Sequence, residues 1–110
     1  MKSGKMLNSG NIVLANVQFT DTLEIKKRPF VLILFEEYDN VVVAGITSNI
    51  KMGGIKLLKK EGAIRDSIIK LNYIFTISKE MISKILFQLN SNKKREVFDE
   101  LVKKLERLNK

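Results

Sequence analysis

Short apolar segments alternate with polar or glycine-containing joints along most of the chain. Most of them are rich in Ile, Val, Leu and Phe, the residues that suit the half-buried surface of a pleated sheet. Strands of this size at this spacing predict a small closed barrel or a sandwich. The seven segments are NIVLANVQF (11–19), PFVLILF (29–35), VVVAGI (41–46), GIKLL (54–58), SIIKL (67–71), YIFTI (73–77) and ILFQL (85–89).

Two of the joints carry local structural signals. The stretch EEYDN (36–40) predicts a hairpin turn between the second and third segments, with Asp39 and Asn40 supplying the turn chemistry. The stretch SKEMIS (78–83) predicts one or two helical turns, with Ser78 as the candidate N-cap.

The apolar period changes to that of a helix after residue 92. The apolar residues of this region fall on one helical face, and acidic residues precede lysines at the favourable i,i+4 spacing. We therefore expect one domain over 1–110, with a flexible segment at 1–8 and a C-terminal helix at 93–109. The cations of the first helical turn oppose the helix dipole, and an exposed, screened helix end is favoured over an RNA-phosphate contact. These cations are Lys93, Lys94 and Arg95.

Composition and charge narrow the classes of partner. The chain has 110 residues, of which 45% are hydrophobic and 29% are charged, as in a soluble globular domain. The net charge of +8 favours a polyanion: nucleic acid first, an acidic protein segment second and an anionic membrane last. No apolar run approaches the roughly 20 residues of a membrane span, and no apolar stretch follows the first lysines as in a signal peptide. We therefore expect a cytoplasmic protein without a membrane partner.

The absence of cysteine and histidine excludes several kinds of chemistry. Without these residues the chain has no zinc site of the usual type, no cysteine nucleophile and no Ser-His-Asp triad. Any reaction depends on Arg, Lys, carboxylates, hydroxyls and backbone groups. Glu36, Glu37 and Asp39 are interpreted as solvated turn residues rather than metal ligands. Tyr73 and Phe75 have the spacing to stack RNA bases from one sheet face, but core positions are favoured.

The stretch KKRPFVLILF (26–35) places three cations and the only proline directly before an apolar strand. Proline fixes its own φ and biases Arg28 towards extended backbone, so the joint is stiff. A guanidinium donates two parallel hydrogen bonds and stays charged, and only four of the twenty cations are arginines. The pattern predicts a positioned anion site, and a solvated basic loop is the alternative.

Three stretches in this order resemble the MazF/PemK toxin family of bacterial and archaeal toxin–antitoxin systems. They are SGNIVLANVQF, then KKRPFVLIL after a short loop, and then VVVAGITSNIK. The later stretch RDSIIKLNYIFTISKEMI looks like two strands and a short helix of that family, so the resemblance covers roughly 9–108. Asn11 departs from the usual acid or Gln, and Tyr73 and Phe75 stand where many members have Gln and Arg.

The resemblance implies a mainly β fold, a small SH3-like barrel of about seven short strands with a C-terminal helix. It implies a homodimer that needs no cofactor and cleaves single-stranded RNA with sequence selectivity and without metal, and an acidic antitoxin as partner. The family's active-site Arg and Thr correspond to Arg28 and Thr47, and Glu24 is the candidate general base. The residues expected to contact RNA are Lys26, Lys27, Ser48, Asn49 and Lys51.

Two other functions remain open at the level of sequence. One is a non-catalytic barrel that binds nucleic acid, and the other is a structural module or toxin relative that has lost activity. The net charge supports binding and cleavage equally, so it does not separate them. Gyrase-poisoning toxins share the architecture but use a Trp near the C-terminus, and the chain has no Trp.

Overall fold

The computed structural model describes residues 7–16, 18–21, 24–27 and 29–110, with the backbone alone for 18–21 and 24–27. This part of the chain forms eight strands, one α-helix and three 3₁₀ turns. The strands are β1 (Asn11–Ala15), β2 (Gln18–Asp21), β3 (Glu24–Lys27), β4 (Phe30–Glu37), β5 (Asn40–Thr47), β6 (Ile55–Leu57), β7 (Ser67–Ser78) and β8 (Ile82–Gln88). The helix is α1 (Ser91–Leu105), and the 3₁₀ turns are Lys59–Glu61, Lys79–Met81 and Glu106–Asn109.

Six strands form one curled antiparallel sheet in the order β6-β7-β5-β4-β1-β8, and β2 pairs with β3 in a separate hairpin. The sheet makes a half-barrel, with α1 following its last strand. The expected fold class, a mainly β barrel-like domain with a C-terminal helix, is therefore confirmed. Within the described residues, neither the α-helix nor the 3₁₀ turns are long and apolar enough to cross a membrane.

Alternation along the strands divides the buried residues between the two faces of the sheet. One cluster includes Ile46, Ile69 and Leu71, and Val97 and Leu101 of α1 pack against it. The other cluster includes Val31, Val41 and Val43. Burial on both faces explains why the strands contain near-continuous apolar runs.

The start of α1 is more tightly bound than the sequence predicts. Asn90 caps the helix, because its side chain accepts a hydrogen bond of 2.8 Å from the Lys93 N–H. The Lys93 ammonium donates to the Lys56 carbonyl at 2.8 Å and pairs with Glu61 and Glu96 at 3.4 and 3.1 Å. The expectation of an exposed helix end is wrong for Lys93, whose charge has protein partners, while the next two cations are exposed.

Several boundaries differ from those predicted. The first segment ends as a strand at Ala15, and a hairpin of β2 and β3 replaces most of the expected loop, so there are eight described strands rather than seven. The two segments at 67–77 form the single strand β7, which continues through a register shift opposite Ala44 and Gly45. The predicted hairpin turn at 36–40 forms, but its two turn residues are Tyr38 and Asp39, both with positive φ, and Asn40 already belongs to β5.

Two more predictions concern the segment 78–83 and the N-terminus. The helical turn at 78–83 is a 3₁₀ turn, and Ser78 occupies its N-cap position without a side-chain cap hydrogen bond. At the N-terminus, residues 1–6 lie outside the described residues. Leu7 packs against the second cluster, and the Asn8 N–H donates to the Asn11 side chain at 2.8 Å.

Candidate functional site

Three neighbouring strands have an end on the same side of the sheet: β1 and β5 end there, and β4 begins there. The register pairs Val31 with Gly45, so Pro29, just before β4, and Thr47, the last residue of β5, lie at the same end of these two strands. Pro29 is buried, and its carbonyl accepts a hydrogen bond of 2.9 Å from the Ala15 N–H at the end of β1. The joint before β4 is therefore fixed against β1.

Four of the residues predicted for the site have no described side chain. Arg28, the residue before Pro29, lies outside the described residues altogether. Glu24, Lys26 and Lys27 belong to β3, whose backbone pairs with β2 over Gln18 to Asp21. Their roles therefore stay predictions.

Thr47 ends β5 as a buried residue with 2% of its surface exposed. Its hydroxyl oxygen accepts a hydrogen bond of 3.1 Å from the Asn49 N–H, which closes a turn directly after the strand. A hydroxyl that accepts one hydrogen bond still has its own hydrogen to donate. Thr47 therefore caps the turn, and no hydrogen bond within the described part of the chain uses its hydroxyl hydrogen.

The segment 48–54, here called the β5–β6 loop, presents three of the predicted RNA-binding residues together. Ser48, Asn49 and Lys51 are all exposed in it. The Asn49 side chain accepts from the Lys51 N–H at 3.2 Å, and the Asn49 carbonyl accepts from the Met52 N–H at 3.0 Å. These hydrogen bonds continue the turn that begins at Thr47, so the loop has a defined shape at its first half.

A buried lysine holds the other half of the loop. Lys70 of β7 is 7% exposed, and its Nζ donates a hydrogen bond of 2.7 Å to the Gly53 carbonyl. The same Nζ lies 5.2 Å from the centroid of the Tyr73 ring, within the range of a cation–π contact. Lys70 is not among the site residues predicted from the sequence, although a lysine inside the apolar segment SIIKL (67–71) is a visible signal.

The two aromatic residues of β7 have different surroundings. Both are half-buried, and Phe75 packs against the second core cluster, as expected for a core position. Tyr73 instead lies below the Lys70 ammonium. These two positions of β7 therefore hold one packing residue and one partner of a buried cation.

One of the three turn carboxylates forms an ion pair. Glu36 pairs with Lys79 at 2.9 Å across the hairpin end of the sheet. Within the described ranges, no group of three or more His, Cys, Asp or Glu residues is arranged to hold a metal ion.

A second surface feature is an apolar groove of about 420 Å³ between the sheet and α1. Phe35 and Ile74 line it from the sheet, and Phe98 and Leu105 line it from the helix. Phe98 and Leu105 are 57% and 59% exposed, so α1 presents uncovered apolar surface on the side of the groove.

Comparison with known proteins gives a family for the chain. No curated protein sequence matches it. A family model described as the PemK-like, MazF-like toxin of type II toxin-antitoxin systems matches residues 8–106. Toxins of this family are generally endoribonucleases, and a type II system implies a protein antitoxin as partner. The match covers the whole sheet and all of α1, and the chain therefore belongs to the PemK-like, MazF-like toxins of type II toxin–antitoxin systems.

Proposed function

We propose that this protein is a metal-independent, sequence-selective endoribonuclease that cleaves single-stranded RNA at the edge where β4 begins and β5 ends. The observation that carries the proposal is the position of Pro29. It is buried, its carbonyl accepts a hydrogen bond from the Ala15 N–H, and it lies at the same end of the sheet as Thr47. The family match over 8–106 supports it independently. Arg28 directly precedes this fixed joint in the sequence.

The proposed reaction uses the substrate's own 2′-hydroxyl. The general base takes the 2′ proton, the 2′ oxygen forms a bond to the adjacent phosphorus, and the bond from phosphorus to the 5′ oxygen breaks. The 5′ oxygen takes up a proton from water, so the products are a 2′,3′-cyclic phosphate and a 5′-hydroxyl. Negative charge gathers on the phosphoryl oxygens in the transition state, which is where fixed donors act most strongly.

Arg28, Glu24 and Thr47 take separate roles in this reaction. The Arg28 guanidinium donates two hydrogen bonds to the phosphoryl oxygens and stays charged throughout. Glu24 is the base that accepts the 2′ proton. Thr47 donates its remaining hydroxyl hydrogen to a phosphate oxygen. Only 2% of Thr47 is exposed, so the protein atoms that cover its hydroxyl must move before RNA can reach it.

Binding of RNA uses the cations and polar groups around the same edge. Ser48, Asn49 and Lys51 are exposed in the β5–β6 loop, directly after Thr47. Lys26 and Lys27 directly precede Arg28 in the sequence and add positive charge next to it. An acidic segment of the antitoxin competes for these groups, because carboxylates and phosphates use the same donors.

We also propose that the protein is a homodimer in which the groove between the sheet and α1 is covered by a second copy. Exposed apolar residues line this groove from both sides, including Phe35, Ile74, Phe98 and Leu105. A contiguous apolar surface of this kind is typical of an interface rather than of a monomer's free surface. A two-fold partner covers such a surface with its own copy.

A non-catalytic nucleic-acid-binding barrel is the second candidate. The burial of Thr47 favours it, since a buried hydroxyl that caps a turn needs no part in catalysis. Both candidates use the same basic edge to bind RNA. They differ only in whether the phosphodiester bond is broken.

The test is cleavage of single-stranded RNA in the presence of EDTA by the wild type and by Arg28→Ala. We expect products with 5′-hydroxyl and 2′,3′-cyclic phosphate ends from the wild type, and a rate lower by about 10²–10³ in the variant. Arg65→Ala is the matched control, because Arg65 is an exposed arginine before β7. A wild type that binds RNA without cutting it supports the second candidate. An Arg28→Ala rate within about threefold of the wild type contradicts the role of Arg28.

A further inference from the structure

Lys70 is a buried cation that has no carboxylate partner within the described residues. It is 7% exposed, and no described carboxylate oxygen lies within 4 Å of its Nζ. Taking an ammonium group out of water is costly unless partners replace its hydration. The neighbours of Lys70 on β7, which include Ile68, Ile69 and Leu71, are apolar and buried, so an aliphatic side chain would suit the same position. Packing alone therefore does not explain a charge here.

The Lys70 ammonium also has unused hydrogen-bonding capacity. It has three donors, and the Gly53 carbonyl accepts one of them at 2.7 Å. The centroid of the Tyr73 ring lies 5.2 Å from the Nζ, so the ring favours the positive charge without acting as a conventional acceptor. In the described part of the chain, the other two donors have no acceptor.

Strand alternation places Lys70 and Thr47 on the same face of the sheet. Successive side chains of a strand point to opposite faces. In β5, Ile46 belongs to the cluster that packs against α1, so its neighbour Thr47 points to the other face. In β7, Ile69 belongs to the same cluster, so its neighbour Lys70 also points away from α1.

Lys70 and Thr47 are also close within the sheet. Thr47 pairs with Ile68, and Lys70 is two residues further along β7, so the two are diagonal neighbours on adjacent strands. Such neighbours lie about 7–8 Å apart, within reach of long side chains. The Thr47 hydroxyl is bonded to the first half of the β5–β6 loop and the Lys70 ammonium to its second half. The same loop therefore contacts both groups.

The unused groups of these two residues select the chemistry of a ligand. Within the described residues, Thr47 has one donor without an acceptor and Lys70 has two. A ligand with several acceptor oxygens and a negative charge satisfies all of them, as in other charge-assisted hydrogen bonds. A single-stranded RNA supplies such oxygens at every phosphate, and successive phosphates are one nucleotide apart. The diagonal step from Thr47 to Lys70 is of comparable length.

We propose that Lys70 binds a backbone phosphate of the RNA substrate, next to the phosphate that Thr47 contacts. The ammonium keeps its hydrogen bond to the Gly53 carbonyl and donates its two other hydrogens to phosphate oxygens. As for Thr47, the atoms that cover Lys70 must move before RNA can reach it. The inference rests on the proposed function, because it adds a contact to the same substrate. A contact to the backbone positions the RNA and carries no preference for a base.

The salt dependence of RNA binding tests this proposal without cleavage. The probe is a fluorescein-labelled 2′-O-methyl RNA of sequence UUUUUUUU, whose blocked 2′ oxygens prevent the proposed reaction. Its affinity is measured by fluorescence anisotropy across a salt series. Each phosphate contact on a single strand contributes about −0.7 to the log–log slope, so Lys70→Met should make the slope less negative by about 0.7. The same variant should weaken binding at low salt by about tenfold.

Three further variants separate a phosphate contact from other roles of Lys70. Lys70→Arg keeps the charge and the donors, so it should keep the wild-type slope. Lys70→Gln keeps a donor for Gly53 but loses the charge, so it should change the slope as Lys70→Met does. These two variants together carry the test if Lys70→Met does not fold, and thermal melting of each variant checks folding. Lys84→Met is the matched control, because Lys84 is an exposed lysine on β8, and it should change the slope by less than about 0.2.

A wild-type slope in both Lys70→Met and Lys70→Gln overturns the phosphate contact, even if the affinity falls. That result would mean that Lys70 only holds Gly53 in place. Weaker binding of an acidic antitoxin peptide with an unchanged RNA slope also overturns it, because the donors would then serve a carboxylate.

These outcomes are distinct from those of the cleavage assay in EDTA. A protein that cuts RNA and keeps its slope in the Lys70 variants retains the proposed function and loses this inference. A protein whose slope changes as expected but that does not cut RNA retains the phosphate contact and loses the proposed cleavage.

Discussion

Gly53 and Gly54 are adjacent in the β5–β6 loop, but a side chain fits at only one of them. A Cβ at Gly54 would lie 2.5 Å from the Ile68 side chain and 2.5 Å from the Ile69 carbonyl oxygen, and Gly54 has a φ of +150°. A Cβ at Gly53 would have no heavy atom within 4 Å, and its φ is not positive. The pair therefore provides a variant and its control one residue apart.

The expected magnitude for Gly54→Ala has two parts. A residue held in a sparsely populated backbone region costs about 1–3 kcal/mol. Making room beside a backbone carbonyl and a buried side chain costs about 1–3 kcal/mol more, as for other overpacked sites. We expect Gly54→Ala to lower the free energy of unfolding by about 2–6 kcal/mol. Gly53→Ala should change it by less than about 1 kcal/mol, with stabilisation through the unfolded chain as the expected sign.

The assay is urea unfolding of both variants and the wild type, followed by circular dichroism at one protein concentration. A fixed concentration matters because the stability of a dimer depends on it. In thermal melting, the same loss lowers the midpoint by at least about 8 °C for a domain of this size. Equal stability of the two variants, within about 0.5 kcal/mol, would refute the close approach of the loop to β7.

Three further predictions concern the proposed function. Thr47→Ala should slow cleavage by about 10²-fold, since it removes one donor to the phosphate, whereas a loss of stability of about 1 kcal/mol with normal cleavage would leave Thr47 as a turn cap alone. Replacing Lys26 and Lys27 by Gln should weaken binding of both single-stranded RNA and an acidic antitoxin peptide, and wild-type RNA affinity should fall with salt with a log–log slope near −0.7 per phosphate contacted; a peptide that binds without displacing RNA would contradict the shared site. Leu105→Glu should convert a dimer into a monomer in sedimentation at micromolar concentration, because it places a charge in the apolar groove, and a wild-type monomer would refute the dimer.

The strands of the sheet were predictable because their apolar segments are short and separated by polar joints. The continuity of β7 was not, because it depends on which strand lies beside it. At the register shift, Gly45 lies against Tyr73, where a Cβ would come within 3.3 Å of the Tyr73 Cβ. The missing side chain at Gly45 accommodates this irregular stretch, and a single sequence does not reveal that the two segments are neighbours.

The hairpins show a second limit of local sequence signals. The segment between β2 and β3 contains no Asn-Gly or Asp-Gly pair, the usual mark of a tight hairpin. The sequence therefore predicts a loop in this region. At the other hairpin, the pairing of Glu37 with Asn40 leaves only Tyr38 and Asp39 for the turn. Both therefore take positive φ, although tyrosine rarely does. Strand register decides the turn there, against the preference of the residue.

Among the candidate site residues, those of the β5–β6 loop were predictable as a group because they follow one strand end directly. The surroundings of Lys70 were not predictable, because its side-chain partner Gly53 is distant from it in sequence. The lysines also differ in their surroundings, and the sequence alone does not show this difference. Lys79 and Lys93 have carboxylate partners, and Lys70 has a carbonyl and an aromatic ring.

The distribution of these cations bears on how RNA would be recognised. The net charge of +8 attracts any polyanion to the molecule, but it does not determine where the polyanion lies. Exposed lysines such as Lys51 supply attraction that salt screens, whereas a buried ammonium such as Lys70 acts at short range and in one direction. Contacts of the first kind govern affinity for RNA of any sequence. The overall affinity of this protein for RNA should therefore fall when exposed lysines such as Lys51 are replaced, and it should fall as the salt concentration rises.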